Sequence, residues 1–292
     1  MLNAACGPEA VLRALKLVRS GVVIPLGMRI GDGRRPEPVW PGRIPSQRYM
    51  VKDYSHYQAG IAPTPAQGAC FASDFLAMPL HGTTHLDALG HAWSDGILYN
   101  GVPAETTIGS LRHANVARIA ERGVVVPAVL VDLVGRNGRG LGASDVVTVA
   151  DIEMNLRGRS IEVPRGSALL LRTGWLEDGY YQAANQERTR GYEEPGLDSL
   201  PEVVDFFADN DIALLGTDTL GNEHTKPVDS DDYQALHARL IRDLGVLFLE
   251  GLDLKILAQV CQETGQYQFC LVVAPLKLEG ASGCPVNPLA IL

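Results

Sequence analysis

The chain has 292 residues, 46% of them hydrophobic and 20% charged, a balance that supports a packed core and excludes a disordered or fibrous chain. Lys and Arg number 25 against 34 Asp and Glu, a net charge of −9, and no basic run could track a phosphate backbone, so neither nucleic acid nor membrane is an expected partner. Cysteines at 6, 70, 261, 270 and 284 form no C-x-x-C pair, the first 18 residues lack the basic and continuous apolar stretches expected of a secretory signal, and the longest apolar run, Val124 to Val131, is far short of a membrane span of about 20 residues. The expectation is a cytoplasmic protein with free thiols.

Pro8 to Val18 has the spacing of an amphipathic helix whose apolar residues are Val11, Leu12, Leu15 and Val18, with Pro8 in its first turn and Gly21 beyond its end. Residues 31 to 68 are dense in Gly and Pro and are expected to form a long irregular arm, anchored by Trp40, Tyr49, Tyr54 and Tyr57. Further on, VVVPAVLVD, SALLLRTG, DIALLGTD, GVLFLEG, YQFCLVVAPLKL and NPLAIL read as strands. Val149 to Leu156, Leu200 to Ala208 and Asp232 to Leu244 read as helices between them. The alternation predicts the α/β class in a single domain over 1–292, with the N-terminal helix and irregular arm occupying about 1–70. Several strands end in polar residues, namely Asp132, Arg172 and Thr173, Asp218 and Glu250, and strand ends are where open α/β sheets hold ligands.

The chemically informative stretch is MPLHGTTHLDALGHAW. His81, His85 and His91 fall within eleven residues, with Asp87 among them, in a chain of only seven histidines. Imidazole nitrogen and carboxylate oxygen together suit Zn, Mn and Fe, and a catalytic site keeps a position open for water or substrate. A helix would point Asp87 about 200° away from His85. An extended segment places 81, 85 and 87 on one face, and a turn at Ala88 to Gly90 returns His91 to the same side. His237 lies on the apolar face formed by Tyr233, Leu236, Leu240, Ile241 and Leu244. Glu250 ends an apolar strand, where a buried carboxylate needs a metal, an arginine such as Arg172, or several N–H donors.

The run His81, Gly82, Thr83, Thr84, His85, Leu86, Asp87 and, four further on, His91 resembles the H-x-G-T-H-x-D-x-x-x-H fingerprint of the cyclase family of metal-dependent hydrolases, which includes bacterial kynurenine formamidases and isatin hydrolases. Threonine stands at 83 where that fingerprint has glycine. VLVDLVG, LLLRTGW, LLGTDTL, the His237 helix followed by LFLEGLDL, and the C-terminal VVAPLKLEGASGCPVNPLAIL follow the family's order. The resemblance implies a compact swivelling β/β/α domain with a mixed sheet and flanking helices. It also implies metal ligands at His81, His85 and Asp87, an acid/base role for His91, and for His237 and Glu250 either completion of a second metal site, as in formamidases and as the glutamate favours, or a place as nearby polar groups, as in isatin hydrolases. Homodimers or homotetramers, in which N-terminal segments reach a neighbour's site, are implied as well.

These readings converge on a hydrolase that opens an amide or lactam C–N bond of a small aromatic substrate by metal-bound hydroxide, with Zn or Mn as the metal. A metal-dependent cyclase or lyase of polyketide or aromatic metabolism is the second reading. A metal-bearing binding protein without turnover is the third.

Overall fold

The computed structural model describes residues 7–33, 35, 37–38, 43–134, 139–180, 193–225 and 234–292. Four strands form its centre: β5 (Val124–Asp132), β7 (Ala168–Arg172), β9 (Leu214–Thr217) and β10 (Leu247–Glu250), parallel and adjacent in that order. They are the near-continuous apolar runs of the sequence, as strands covered on both faces must be. Leu169, Leu170 and Leu171 are all buried, each worth about 1.5–3 kcal/mol relative to exposure.

Antiparallel strands extend the sheet on both sides. β11 (Gln268–Val273) pairs with β5, β13 (Leu289–Ile291) with β11, and β1 (Val23–Pro25) with β13. At the other side β4 (His85–Asp87) pairs with β10, and β12 (Gly283–Pro285) with β4. Both edge strands, β1 and β12, are three residues long and contain a proline, which suits a position with one unpaired side. A mixed nine-stranded sheet results. The flanking helices are α1 (Pro8–Leu15), α2 (Tyr54–Gln58), α3 (Val116–Ala120), α4 (Val149–Gly158), α5 (Pro201–Asp209), α6 (Ala235–His237, continuing in wider π-type turns over Ala238–Leu244) and α7 (Lys255–Thr264). Of these, α1 and α4 pack on β5.

Three expectations are corrected. Helix α1 ends at Leu15 and turns its alanines inward: Ala10 and Ala14 are fully buried, while Leu12 and Leu15 are 60% and 51% exposed. Two small residues a turn apart let the helix axis approach β5 more closely than leucines would. The arm is not irregular throughout, because β2 (Gln47–Lys52) and β3 (Ser73–Ala77) pair antiparallel around α2, which Asp53 and His56 cap reciprocally. Trp40 and Tyr233 lie outside the described residues. Finally, the polar strand ends serve mostly to tie strands together. Arg172 pairs with Asp132 across β7 and β5 at 3.0 Å and bidentately with Glu177, and Asp218 accepts from the Thr173 amide and hydroxyl and the Gly174 amide. Arg172 is thereby engaged away from Glu250, which alone of these strand ends joins the histidine cluster.

Candidate metal centre

The register of three strands builds the centre. Glu250, the last residue of β10, lies directly opposite His85 of β4, so the two side chains share a face, and Asp87, two residues further along β4, shares it too. His85 Nε2 is 3.1 Å from Glu250 Oε2 and 3.4 Å from Asp87 Oδ1. On its other side β4 is flanked by β12, where Gly283 opposes Asp87. A Cβ on Gly283 would come within 2.5 Å of the His81 ring, so only glycine lets that imidazole lie against the strand.

The extended segment begins only at His85. His81 reaches the centre from the preceding turn, and its Nδ1 is 2.7 Å from Asp87 Oδ1. The shared-parity argument therefore holds for His85 and Asp87 and does not apply to His81. The expected turn at Ala88 to Gly90 is present, closed by the His91 amide donating to the Ala88 carbonyl at 2.9 Å. It returns His91 to stack on the His81 ring at 4.1 Å between centroids, with Nε2 4.0 Å from Asp87 Oδ2. His237, at the end of α6, is buried, with Nε2 3.4 Å from Glu250 Oε1 and its ring 6.2 Å from that of His91. All six residues read from the sequence meet here.

Five of them form two donor sets with Asp87 as the shared member, and His237 stands beside the second through Glu250. His81, Asp87 and His91 present atoms mutually within 4.8 Å, and so do His85, Asp87 and Glu250. Each tied imidazole has one nitrogen engaged outside the cluster and the other aimed at its carboxylates. Thr83 O accepts from His85 Nδ1 at 2.7 Å, Ser282 Oγ lies 2.8 Å from His81 Nε2, and Glu223 Oε1 accepts from His237 Nδ1 at 2.5 Å. His85 Nε2 and Asp87 Oδ2, both inaccessible, have no hydrogen-bond partner. Orphaned buried polar atoms are costly unless a further group joins them, and a divalent ion among these N and O donors fits that requirement.

The electrostatics separate the roles. Burial pushes His91 down to about 4, with His81 and His237 adding to the effect and Asp87 opposing it. Burial alone would lower His85 too, but the Asp87 and Glu250 carboxylates against Nε2 outweigh it and raise its pKa to about 10. Burial likewise works against ionisation of Asp87, yet His91 and His81 hold its carboxyl well below the usual range.

Ser282, Glu223 and the Thr83 carbonyl escape a sequence reading. Ser282 is 201 residues from the histidine it contacts, and Glu223 stands in an unremarkable polar run, DTLGNEH, whose position after an apolar strand was its only signal.

A mixed α/β sheet carrying a buried cluster of imidazoles and carboxylates at its strand ends defines the class. Residues 24–224 match the family model described as putative cyclase, and the chain belongs to this family. The match spans His81 to His91 and stops before His237 and Glu250. The isatin hydrolase of Roseibium aggregatum is 24% identical over 236 residues, covering 80% of this chain and 79% of that protein. The kynurenine formamidase of Salinibacter ruber is 37% identical over 87 residues, 30% of this chain and 35% of that one. Among solved structures, one described as a novel cyclase superposes with a TM-score of 0.86 at 29% identity over 98% of this chain and 93% of the other. Isatin hydrolase A from Labrenzia aggregata does so at 0.65 and 22% identity over 95% and 94%, a likeness of fold.

Proposed function

We propose that the protein is a metal-dependent hydrolase that cleaves an amide or lactam C–N bond of a small aromatic substrate. The observation that carries this reading is the convergence of four imidazoles and two carboxylates in one cluster, with His85 Nε2 and Asp87 Oδ2 buried and unsatisfied. His81, His85 and Asp87 would hold one divalent ion, Zn or Mn. His237 and Glu250 would complete a second site in which Asp87 is the common carboxylate. Such an ion supplies Lewis acidity and lowers the pKa of water toward neutrality.

The chain's own residues supply the rest. His91 is the most exposed member of the cluster, its side chain 27% accessible, and its depressed pKa leaves the ring neutral near pH 7. It takes the proton of the attacking water and returns it to the leaving nitrogen. His81, stacked on it at 4.1 Å between centroids, holds the ring in place.

The exposed β2–β3 arm supports a homo-oligomer in which a second copy covers it. Its base adjoins the centre, where the Arg43 guanidinium donates to the His81 carbonyl. Elemental analysis of the purified protein, followed by a panel of formamides, lactams and esters, tests the reading. At least one equivalent of Zn or Mn and turnover of an amide or lactam are expected. Metal with no hydrolysis across the panel would favour the cyclase or binding-protein readings.

A further inference from the structure

Residues 217–224, the last residue of β9 and the turn after it, touch both late members of the centre, and their contacts have a pattern that helix capping alone does not produce. Glu223 is buried, and its carboxylate accepts from the Leu236 amide at 2.8 Å and the His237 amide at 2.9 Å, which caps the start of α6. The same carboxylate also accepts from His237 Nδ1. This fixes the tautomer, so that Nε2 is the nitrogen turned to Glu250. The neighbouring Asn222 donates from Nδ2 to Glu250 Oε1 at 3.2 Å, while its Oδ1 accepts from Thr217 Oγ1 at 2.7 Å.

The turn is held rigidly enough to orient what it touches. Asn222 has φ of 57°, a left-handed conformation that asparagine tolerates. Its carbonyl accepts from the Leu197 amide at 3.2 Å, and the His224 amide donates to the Leu197 carbonyl at 2.9 Å, which stitches the turn to β8 (Gly196–Leu197). A Cβ at Gly196 would fall 2.3 Å from the Glu223 carbonyl carbon, so the two backbones meet only because Gly196 has none. Glu194 Oε1 accepts from the Leu220 amide at 2.9 Å in the middle of the turn.

We infer that Glu223 and Asn222 are positioning residues: one rigid turn orients His237 through its Nδ1 and Glu250 through its Oε1, and so sets the geometry of the second half of the metal centre. The inference rests on the proposed metal-binding reading and adds to it which residues, outside the ligands themselves, set the affinity. Outer partners of this kind typically change metal affinity 10- to 100-fold.

The test is titration of metal-free full-length protein with Co²⁺, followed by its visible absorption, for wild type, Glu223→Gln and Asn222→Ala, with thermal melts alongside. Wild-type binding with affinity reduced roughly 10- to 100-fold in Glu223→Gln, and restoration of the wild-type spectrum by excess Co²⁺, is the expected result. If Glu223 only caps α6, the melt falls while Co²⁺ affinity and spectrum stay unchanged, and the inference is overturned. Should Glu223→Gln fail to fold, Asn222→Ala decides in the same terms. A wild type that takes up no Co²⁺ removes the underlying metal reading, an outcome distinct from unaltered variants.

Discussion

His91 differs from the other imidazoles of the centre in that neither ring nitrogen makes a hydrogen bond among the described residues, whereas His81, His85 and His237 are each tied from outside. A tied ring suits a ligand and an untied one suits proton transfer. His91→Ala should therefore keep its metal and lose roughly 10²-fold in turnover. Loss of one equivalent of metal in that variant would make His91 a ligand through the His81–Asp87 set. His85→Ala, in contrast, should lose most of its metal while staying folded, as elemental analysis would show.

The same two residues set opposite pH limbs in the metal-free protein. His85 is raised from 6.5 to about 10 on folding, so its contribution is fully present below pH 6.5 and is lost as pH rises through 10. His91 is lowered to about 4, so its contribution is present above pH 6.5 and is lost as pH falls through 4. Melting temperatures of metal-free protein from pH 4 to 10 should pass through a maximum near neutrality. Burial opposes the charged form of His237 too, but Glu223 and Glu250 raise its pKa in the same direction as that of His85. The alkaline limb should therefore become shallower in His85→Ala without vanishing, and the acid limb should become shallower in His91→Ala; an unchanged profile in both variants would contradict these assignments.

At the scale of the element, helix α1 shows how a sequence pattern can name the wrong face. Its leucines define the apolar stripe, yet the face against β5 is made of Ala10 and Ala14. Close approach favours alanine, because each methyl packs while the backbones come together without a void. Ala14→Leu should accordingly cost about 1–3 kcal/mol by overpacking, and Leu12→Lys within about 0.5 kcal/mol. Chemical denaturation of both variants checks the order. Helix α6 shows the converse: the predicted apolar face survives at Leu236, Leu240 and Ile241, and His237 takes its place among them although the helix continues in wider turns.

Over the whole molecule, the arm is the part that a lone chain leaves without support. Every residue of β3 is exposed, as is β2 up to Val51, and Tyr49 and Phe75 stack on each other at 5.2 Å while remaining 56% and 49% exposed. A two-stranded ribbon is marginal in water by itself, and Ile44, Met50, Val51, Phe71 and Leu76 add apolar surface of the kind that marks an interface. Light scattering at micromolar concentration should give a dimer or tetramer, and Tyr49→Asp with Phe75→Asp should shift it toward monomer. A wild-type monomer would contradict the proposed assembly.

Local chemistry made much of this protein legible in advance. Runs such as ALLL and VLFL, short and bounded by Gly and polar residues, read as strands covered on both faces, and three histidines with an aspartate in eleven residues stand out by composition alone. Glu250 and His237 were legible as groups that needed a partner, because a carboxylate on an apolar strand and an imidazole on an apolar stripe are costly alone. Which partner they found depended on registers that no local pattern encodes. The pairing of Glu250 with His85 across β10 and β4 decided it for one, and the placement of β12 beside β4 brought Ser282 and Gly283 to His81. The division of the donors around Asp87, the inward face of α1 and the grip of Glu223 on His237 have the same origin: each is a contact between segments far apart in the chain, chosen by packing and hydrogen-bond satisfaction in the folded whole rather than by the preference of either segment.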